Sequence, residues 1–346
     1  VDESAGESAD VPATADKKAS SSQGGIFSII LSLLIIALSG GIIVFGNKKK
    51  TVVSDDINIP ENKNSAVVGL EYSGSADKKG LFSLIIYLAT KGYISIEEAD
   101  SDFIIKKLKN YDGNDEVETA LMNTFFGKNT QVSGKQLASS GNFHKKASGV
   151  IKKLNDKYQP LLKDTKSMLI KILLSSIGII LSLILLVSAI ISKSGLNVVS
   201  LIFALIAFVS GIVALIISLK PTESEESISG RAYAEGLKSF LEAPSVEKLQ
   251  AAIRKNPKYY HDVIPYSYVL GISDKWIDNI QDLVAENPVW YNGKTFDKNN
   301  FANLINAVAK VYGASAKCPP SSASGPKHSA ENTAKKKHSE SDKPKQ

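Results

Sequence analysis

A chain of 346 residues with 41 Lys and Arg against 35 Asp and Glu is long enough for two or three compact units and carries a formal charge of +6. Its single cysteine, Cys318, excludes an intrachain disulfide and a thiolate metal cage. Only Arg231 and Arg254 are arginines. The planar guanidinium is the preferred reader of phosphates and guanine edges, so sequence-specific nucleic-acid binding is disfavoured.

A mean hydropathy of −0.02 averages very apolar blocks with Lys-, Ser- and Asn-rich ones. The first residue is Val1, so the chain is expected to be a processed product or a fragment. Residues 1–25 form a polar segment expected outside the cell, with five acidic side chains against Lys17 and Lys18, the reverse of the cationic start of a signal peptide. Ile26 to Phe45 is an uncharged block of 20 residues. A bilayer core of ~30 Å takes about 20 helical residues, so residues 26–45 predict a first transmembrane helix. Residues 46–80 are expected as a linker, extended over Asp55 to Ser75 with Pro60 and several Asn.

From Leu81 the pattern turns helical, with Leu81, Leu84, Ile85, Leu88 and Ala89 at steps of three and four, and Gly92 stops the helix. Tyr93 to Glu97 alternates as a strand, Ala99 to Asp102 turns, and Phe103 to Leu108 is a second strand. Asn114 caps a helix carrying Val117, Leu121, Phe125 and Phe126; Ser133 begins a short one through Leu137. Helix followed by hairpin is what a winged-helix unit contains, so residues 81–162 predict a small α+β, winged-helix-like cytoplasmic domain. Its last helix, Phe143 to Leu162, gathers Phe143, Ala147, Val150, Ile151, Leu154, Tyr158 and Leu161 on one arc. Lys145, Lys146, Lys152, Lys153 and Lys157 fill the remainder. This basic arc has three readings: a solvated face, a contact with anionic lipid worth ~1 kcal/mol per juxtamembrane lysine, or a nucleic-acid contact. Tethering to a bilayer and the shortage of arginine count against the last.

Residues 172–191 and 196–219 predict transmembrane helices two and three, joined by the turn Ser192 to Gly195. Lys48, Lys49 and Lys50 follow the first span, Lys163, Lys166 and Lys171 lead into the second, and Lys220 follows the third; Lys193 alone stands in the turn. The positive-inside rule then places the amino terminus outside, and residues 47–171 and everything after Lys220 in the cytoplasm of a multi-pass cell-membrane protein. No span carries Asp, Glu, His or Arg in its interior, which disfavours a pump, a secondary transporter or an autonomous channel. Ser200, Ala204, Ala207, Gly211, Ala214 and Ser218 form one stripe of small residues on span three, with a sparser one at Ser28, Ser32, Ser39 and Gly46 on span one. Such stripes let helices approach closely, within the chain or between copies, although small residues are also common in membrane helices.

Residues 220–230 read as an acidic linker, and residues 231–313 as an all-α cytoplasmic domain in which no strand is needed. Its helices are expected at Ala232 to Leu241, Ser245 to Ile253, and Tyr259 to Leu270, the last interrupted by Pro265. Another follows from Ser273 as a cap, with Trp276, Ile280 and Leu283 inward, and a final one spans Asp297 to Tyr312. The aromatics Tyr259, Tyr260, Tyr266, Tyr268, Trp276, Trp290 and Tyr291 read first as a helical core, and second as a ligand cage. The Lys- and Ser-rich tail, 314–346, is expected to be disordered.

The run Asn256-Pro257-Lys258-Tyr259-Tyr260, then Ile264-Pro265-Tyr266, Leu270-Gly271-Ile272 and Asp274-Lys275-Trp276, resembles the C-terminal region of the YciQ-like predicted bacterial membrane proteins. Trp290-Tyr291 and the stretch from Gly80-Leu81 to Lys91-Gly92-Tyr93-Ile94-Ser95-Ile96 fit the same family, over about residues 26 to 313. The resemblance implies a signal peptide and an extracellular β-rich domain upstream of Val1. It implies no activity, the family being of unknown function. The tail departs from it, since many members end in a Gly-rich tract.

No catalytic, cofactor-binding or metal site is expected. His144, His261, His328 and His338 are scattered, and none pairs with a glutamate and a second histidine at metalloprotease spacing. Gly74 to Leu81 lacks the Gly-Lys-Ser/Thr of a phosphate loop, and no Gly-x-Ser-x-Gly elbow occurs. The chain is therefore expected to be a non-enzymatic membrane scaffold or signal-coupling protein with protein partners or self-association in the lipid bilayer. The alternatives are a binder of anionic lipid or nucleic acid through the basic helix, an accessory subunit of a transporter or envelope-assembly complex, and an enzyme of unrecognised type.

Overall fold

The computed structural model describes residues 15–45, 52–99, 102–191, 197–281, 283 and 286–318. Helix α1 (Ala15–Phe45) holds the first apolar block. Residues 52–64 follow without helix or strand and lead to α2 (Ser65–Ser73), where the Asn64 side chain accepts from the Val67 N–H at 3.1 Å. This corrects the expected linker over 46–80: Ala66, Val68 and Leu70 are completely buried. A helix of 9 residues with adjacent valines has little propensity of its own and exists because tertiary packing encloses it.

Helix α3 (Lys78–Thr90) is buried on every side from Gly80 to Ala89, the pattern of a helix enclosed by others. It ends at Gly92, whose φ of 74° turns the chain into β1 (Ile94–Ala99). β1 pairs antiparallel with β2 (Asp102–Lys107), Ile96 opposite Ile105. Asp115, not Asn114, caps α4 (Glu116–Phe125), its Oδ1 accepting from Val117 and Glu118 N–H at 2.7 and 3.0 Å. Edge strand β3 (Gln131–Ser133) enters α5 (Gly134–Ser139) through a Ser133–Gln136 capping box. Helix α6 (Gly141–Tyr158) and a 3-10 turn over Gln159–Leu162 lead to the next span.

Helices α7 (Thr165–Ile191) and α8 (Asn197–Ser218), with Gly24–Phe45 of α1, are long and apolar enough to cross a membrane. Leu173, Ile184, Ile202 and Ile216 are exposed along the outside of this bundle. α8 packs against both α1 and α7, and Ser200, Ala204, Ala207, Gly211, Ala214 and Ser218 are all buried. A Cβ on Gly211 would lie 3.0 Å from Ile179 Cγ1, a close approach that favours glycine. Ser28, Ser32 and Ser39 of α1 are buried as well, while Gly46 lies outside the described residues.

Ser224 caps α9 (Glu225–Glu242), accepting from Ser227 N–H at 3.0 Å, so the stretch expected as a linker over 220–230 is helical from Glu225. Glu225 and Glu226 fall in the first turn, where the positive helix end stabilises them. Then come α10 (Val246–Lys255), α11 (Tyr259–Asp262) and α12 (Ile264–Leu270), with Pro265 in the first turn of α12, dividing it from α11. α13 (Ser273–Ile280) has Ile272 at its cap position, with Ser273 inside the helix. Because α13 stops at Ile280, helical periodicity no longer carries Leu283 inward, and it is 58% exposed.

Strand β4 (Tyr291–Asn292) corrects the all-helical expectation for 231–313. It pairs parallel with β1, Tyr291 opposite Ile96, giving a sheet of order β3-β2-β1-β4. A strand of 2 residues has no alternation from which it could be read. Helix α14 (Lys298–Ser315), capped by Asp297, packs on α5 and α6 and runs past the expected start of the tail at 314; residues from 319 lie outside the described ones. Leu84, Ile85 and Phe103 share one hydrophobic core with Tyr266, Trp276 and Phe301. The segments expected as two domains, 81–162 and 231–313, thus meet in a single extramembrane core.

Candidate functional site

The five lysines of α6 are placed unequally. Lys157 Nζ lies 2.7 Å from Asp115 Oδ2 and Lys153 Nζ 3.0 Å from Glu116 Oε2, the cap and the first residue of α4; Lys152 pairs with Asp156 one turn on. Tyr158 Oη also donates to Asp115 Oδ2 at 2.7 Å. Burial pushes the Asp115 carboxyl up, but Lys157, Tyr158 and the two capping N–H groups outweigh it and hold the group below the ordinary aspartate value. Among the described residues, Lys145 and Lys146 are the exposed lysines of this face with no carboxylate at ion-pair distance. Leu161, expected on the apolar arc, is 48% exposed beyond the end of α6.

A denser set of contacts surrounds residues 52–64, the strap joining α1 to the core. Ser54 N–H donates to Ala232 O of α9 at 3.1 Å, and a Cβ on Gly236, one turn on, would collide with the Ser54 carbonyl. Three phenols then take successive strap carbonyls: Tyr259 Oη donates to Ile57 O at 2.7 Å, Tyr233 Oη to Asn58 O at 2.7 Å, and Tyr266 Oη to Lys63 O at 3.0 Å. Burial raises all three above the ordinary tyrosine value, so each keeps its proton and stays a donor. Lys248 reaches Asp55 at 3.0 Å and Lys255 reaches Asn58 Oδ1 at 2.9 Å.

The strap ends in two buried carboxylates. Lys63 Nζ lies 2.5 Å from Glu71 Oε1 of α2, and the Glu71 side chain is only 3% exposed. Its other oxygen, Oε2, is enclosed without a hydrogen-bond partner among the described residues, against Gly230 of α9. Burial pushes Glu71 above the ordinary glutamate value; Lys63 opposes this, and Glu226 adds to it. Asn64 Nδ2 donates to Glu118 Oε1 at 2.8 Å, and burial raises Glu118 too, against hydrogen bonds from Asn64 and Tyr111.

The second and third spans join the core differently. Asp164 N–H donates to Thr222 O at 2.8 Å and Ser224 N–H to Leu162 O at 3.0 Å, with Lys163 and Glu223 bridged as in an antiparallel ladder. Ser224 Oγ donates to Leu161 O at 2.6 Å, and Lys171 Nζ to Thr222 Oγ1 at 3.2 Å. This collar ties the entry to α7 directly to the exit from α8.

The phenols of Tyr259 and Tyr266 belong to the motif singled out in the sequence, and Trp276 supports them: its ring meets Tyr259 edge-on at 6.3 Å, and its Nε1–H donates to Tyr260 O at 3.1 Å. The strap has the composition of a linker. Its one signal was the buried-type spacing of Ile57 and Ile59, both packed on the core. Among the described residues no three His, Cys, Asp or Glu side chains converge as metal ligands.

Residues 56–280 match the family described as predicted membrane protein (DUF2207), C-terminal domain. The match begins in the strap, crosses α7 and α8, and ends with α13. No curated protein and no solved structure matches the chain.

Proposed function

The chain belongs to this family of predicted membrane proteins, and from that premise we propose that it is a non-enzymatic coupling protein, in which displacement of α1 is passed through the strap to a scaffold that docks protein partners. The observation that carries this reading is the triad Tyr233, Tyr259 and Tyr266, whose hydroxyls fasten the strap carbonyls. A segment that merely links a span to a domain has no use for three side-chain donors aimed at its backbone, two of them buried and one half-buried, each of which must beat the entropy of ordering the chain. Lysine flanking orients the protein with its amino terminus outside and the core in the cytoplasm. The α3–β1–β2 helix and hairpin, winged-helix-like in order, is the docking module in this reading.

In-cell crosslinking of the full chain, with identification of what co-purifies, tests the proposal. A defined partner set that changes when Tyr233, Tyr259 and Tyr266 are replaced together by Phe is the expected result. Recovery of the same set from both proteins, or of the chain alone, overturns it. Co-purification of an ATPase or synthase would turn the scaffold into an accessory subunit of that machine. A second reading, attachment of α6 to anionic lipid, is favoured by Lys145 and Lys146, since ion pairs on the protein occupy Lys152, Lys153 and Lys157.

A further inference from the structure

Helices α1 and α7 pack unequally along their length. Midway they touch: a Cβ on Gly178 of α7 would lie 3.6 Å from Ile35 Cγ2 of α1. The helices run antiparallel, so toward the extramembrane core the facing positions become Gly41 and Ile42 on α1 and Lys171 on α7. There the surfaces have parted, and a Cβ on Gly41 would meet no heavy atom within 4 Å. The gap is a groove of about 550 Å³, walled by Ala37, Leu38, Gly41, Ile42 and Phe45 on α1 and by Lys171 on α7.

We propose that this groove holds one acyl chain of a phospholipid with an anionic headgroup, its phosphate end seated at Lys171. The lining faces hydrocarbon: Leu38 is 57% and Phe45 78% exposed on a helix of spanning length. Ala37 and Gly41 lie one turn apart and leave a smooth channel along α1. Lys171 stands at the end nearest the extramembrane core, its stem along the apolar lining and its ammonium reaching Thr222 beyond the span. That is the level at which headgroup phosphates lie.

A second copy of α1 would fit the apolar part of the groove and fail at its charged end. Gly24 to Phe45 of α1 carries no acidic side chain, so a second α1 would desolvate the Lys171 ammonium without bringing a counter-charge to it. An anionic lipid matches the groove at both ends, apolar along α1 and cationic at Lys171.

The test uses the full chain in phosphatidylcholine vesicles, with Leu38→Trp as a probe and chain-brominated phosphatidylglycerol or phosphatidylcholine as quencher. Native Trp276 and Trp290 are buried in the extramembrane core and give a constant background. Ile184→Trp, on the outer face of α7, is the control, and Phe45→Trp repeats the measurement at the groove mouth if Leu38→Trp does not insert. At the groove the brominated phosphatidylglycerol should be preferred about fivefold, the ratio one juxtamembrane lysine supports. The preference should vanish at Ile184→Trp and with Lys171→Gln, and persist with Lys171→Arg. Equal ratios at groove and control, or a preference that survives Lys171→Gln, overturn the proposal. So does a groove probe that neither lipid quenches, which would put a protein helix there.

Discussion

The spans meet the extramembrane core at two attachments, and the two are built from different bonds. At the collar, 162–164 and 222–224 are joined backbone to backbone, as in a sheet. Along the strap, backbone carbonyls are held by side-chain hydroxyls from α9, α11 and α12. A backbone ladder is indifferent to most side chains, whereas the strap has one backbone bond, Ser54 N–H to Ala232 O, and otherwise depends on three phenols, the missing side chain of Gly236 and the half-buried Lys63–Glu71 pair. The proposed coupling role uses this difference: α7, α8 and the core would act as one frame, and α1, which packs on α8 within the bundle, would pass its movement to the core through the strap.

The largest break in this comparison is expected at Gly236. A side chain there would occupy the place of the Ser54 carbonyl, and backbone on both sides leaves no flexible group to yield. Gly236→Val should cost about 3 kcal/mol, at the top of the range for overpacking. Hydrogen exchange would show amides of 52–64 losing protection while Asp164 and Ser224, whose N–H groups form the collar, keep theirs. Loss at both places would mean that the strap and collar are one cooperative unit.

Smaller losses should follow removal of single phenols. Tyr259→Phe or Tyr266→Phe keeps the ring and its edge-on neighbours but leaves a strap carbonyl without its donor, at about 1–2 kcal/mol each. Tyr233→Phe should cost less, about 1 kcal/mol, because its bond to Asn58 O is open to water. Urea midpoints of the three variants measure the series. A reversed order would show that ring packing, not the hydroxyl, holds the strap.

Glu71 sharpens the comparison through pH. Its carboxyl is held above the ordinary glutamate value of 4.5 chiefly by burial, so the folded protein binds a proton there more tightly than the unfolded chain does. Stability from this group is therefore fully present below 4.5 and declines as pH rises from that value through the raised one. Glu118 acts in the same direction, and Asp115, held low, in the opposite one, gaining stability above the ordinary aspartate range. Glu71→Gln should gain on the parent as pH rises through the window, in denaturation series at several pH values. A parallel pair of curves would mean that Lys63 neutralises Glu71 completely.

How much of this was legible from residues alone follows from the physics of each element. Long apolar blocks report themselves, because only a bilayer or a fully enclosed site tolerates 20 such residues; α14 was legible from the Asp297 cap and its periodicity. Helix α2 was not, because Val67 and Val68 are poor helix formers and only the neighbours that bury them make the helix worthwhile. β4 borrows its conformation from β1, nearly two hundred residues away in sequence. The motif tyrosines are visible in the sequence as an aromatic cluster of core type. That is half of their role: their rings are core, and their hydroxyls point at a segment whose composition gave no reason to expect it there.

The smallest expected effect lies on α6 and separates structural from available charge. Lys153 and Glu116 face each other at 3.0 Å with side chains 44% and 72% exposed, so water screens the pair. Lys153→Gln should leave the urea midpoint almost where it is in the parent. The variant still matters, because Lys145→Gln with Lys146→Gln removes as much surface charge per residue and breaks no ion pair on the protein. If α6 meets anionic lipid, the double variant should weaken salt-sensitive binding to phosphatidylglycerol vesicles more than Lys153→Gln with Lys152→Gln does. Equal losses from the two pairs would mean that the exposed pairs open freely and the whole basic arc acts as one field. No loss from either would leave α6 as a solvated face.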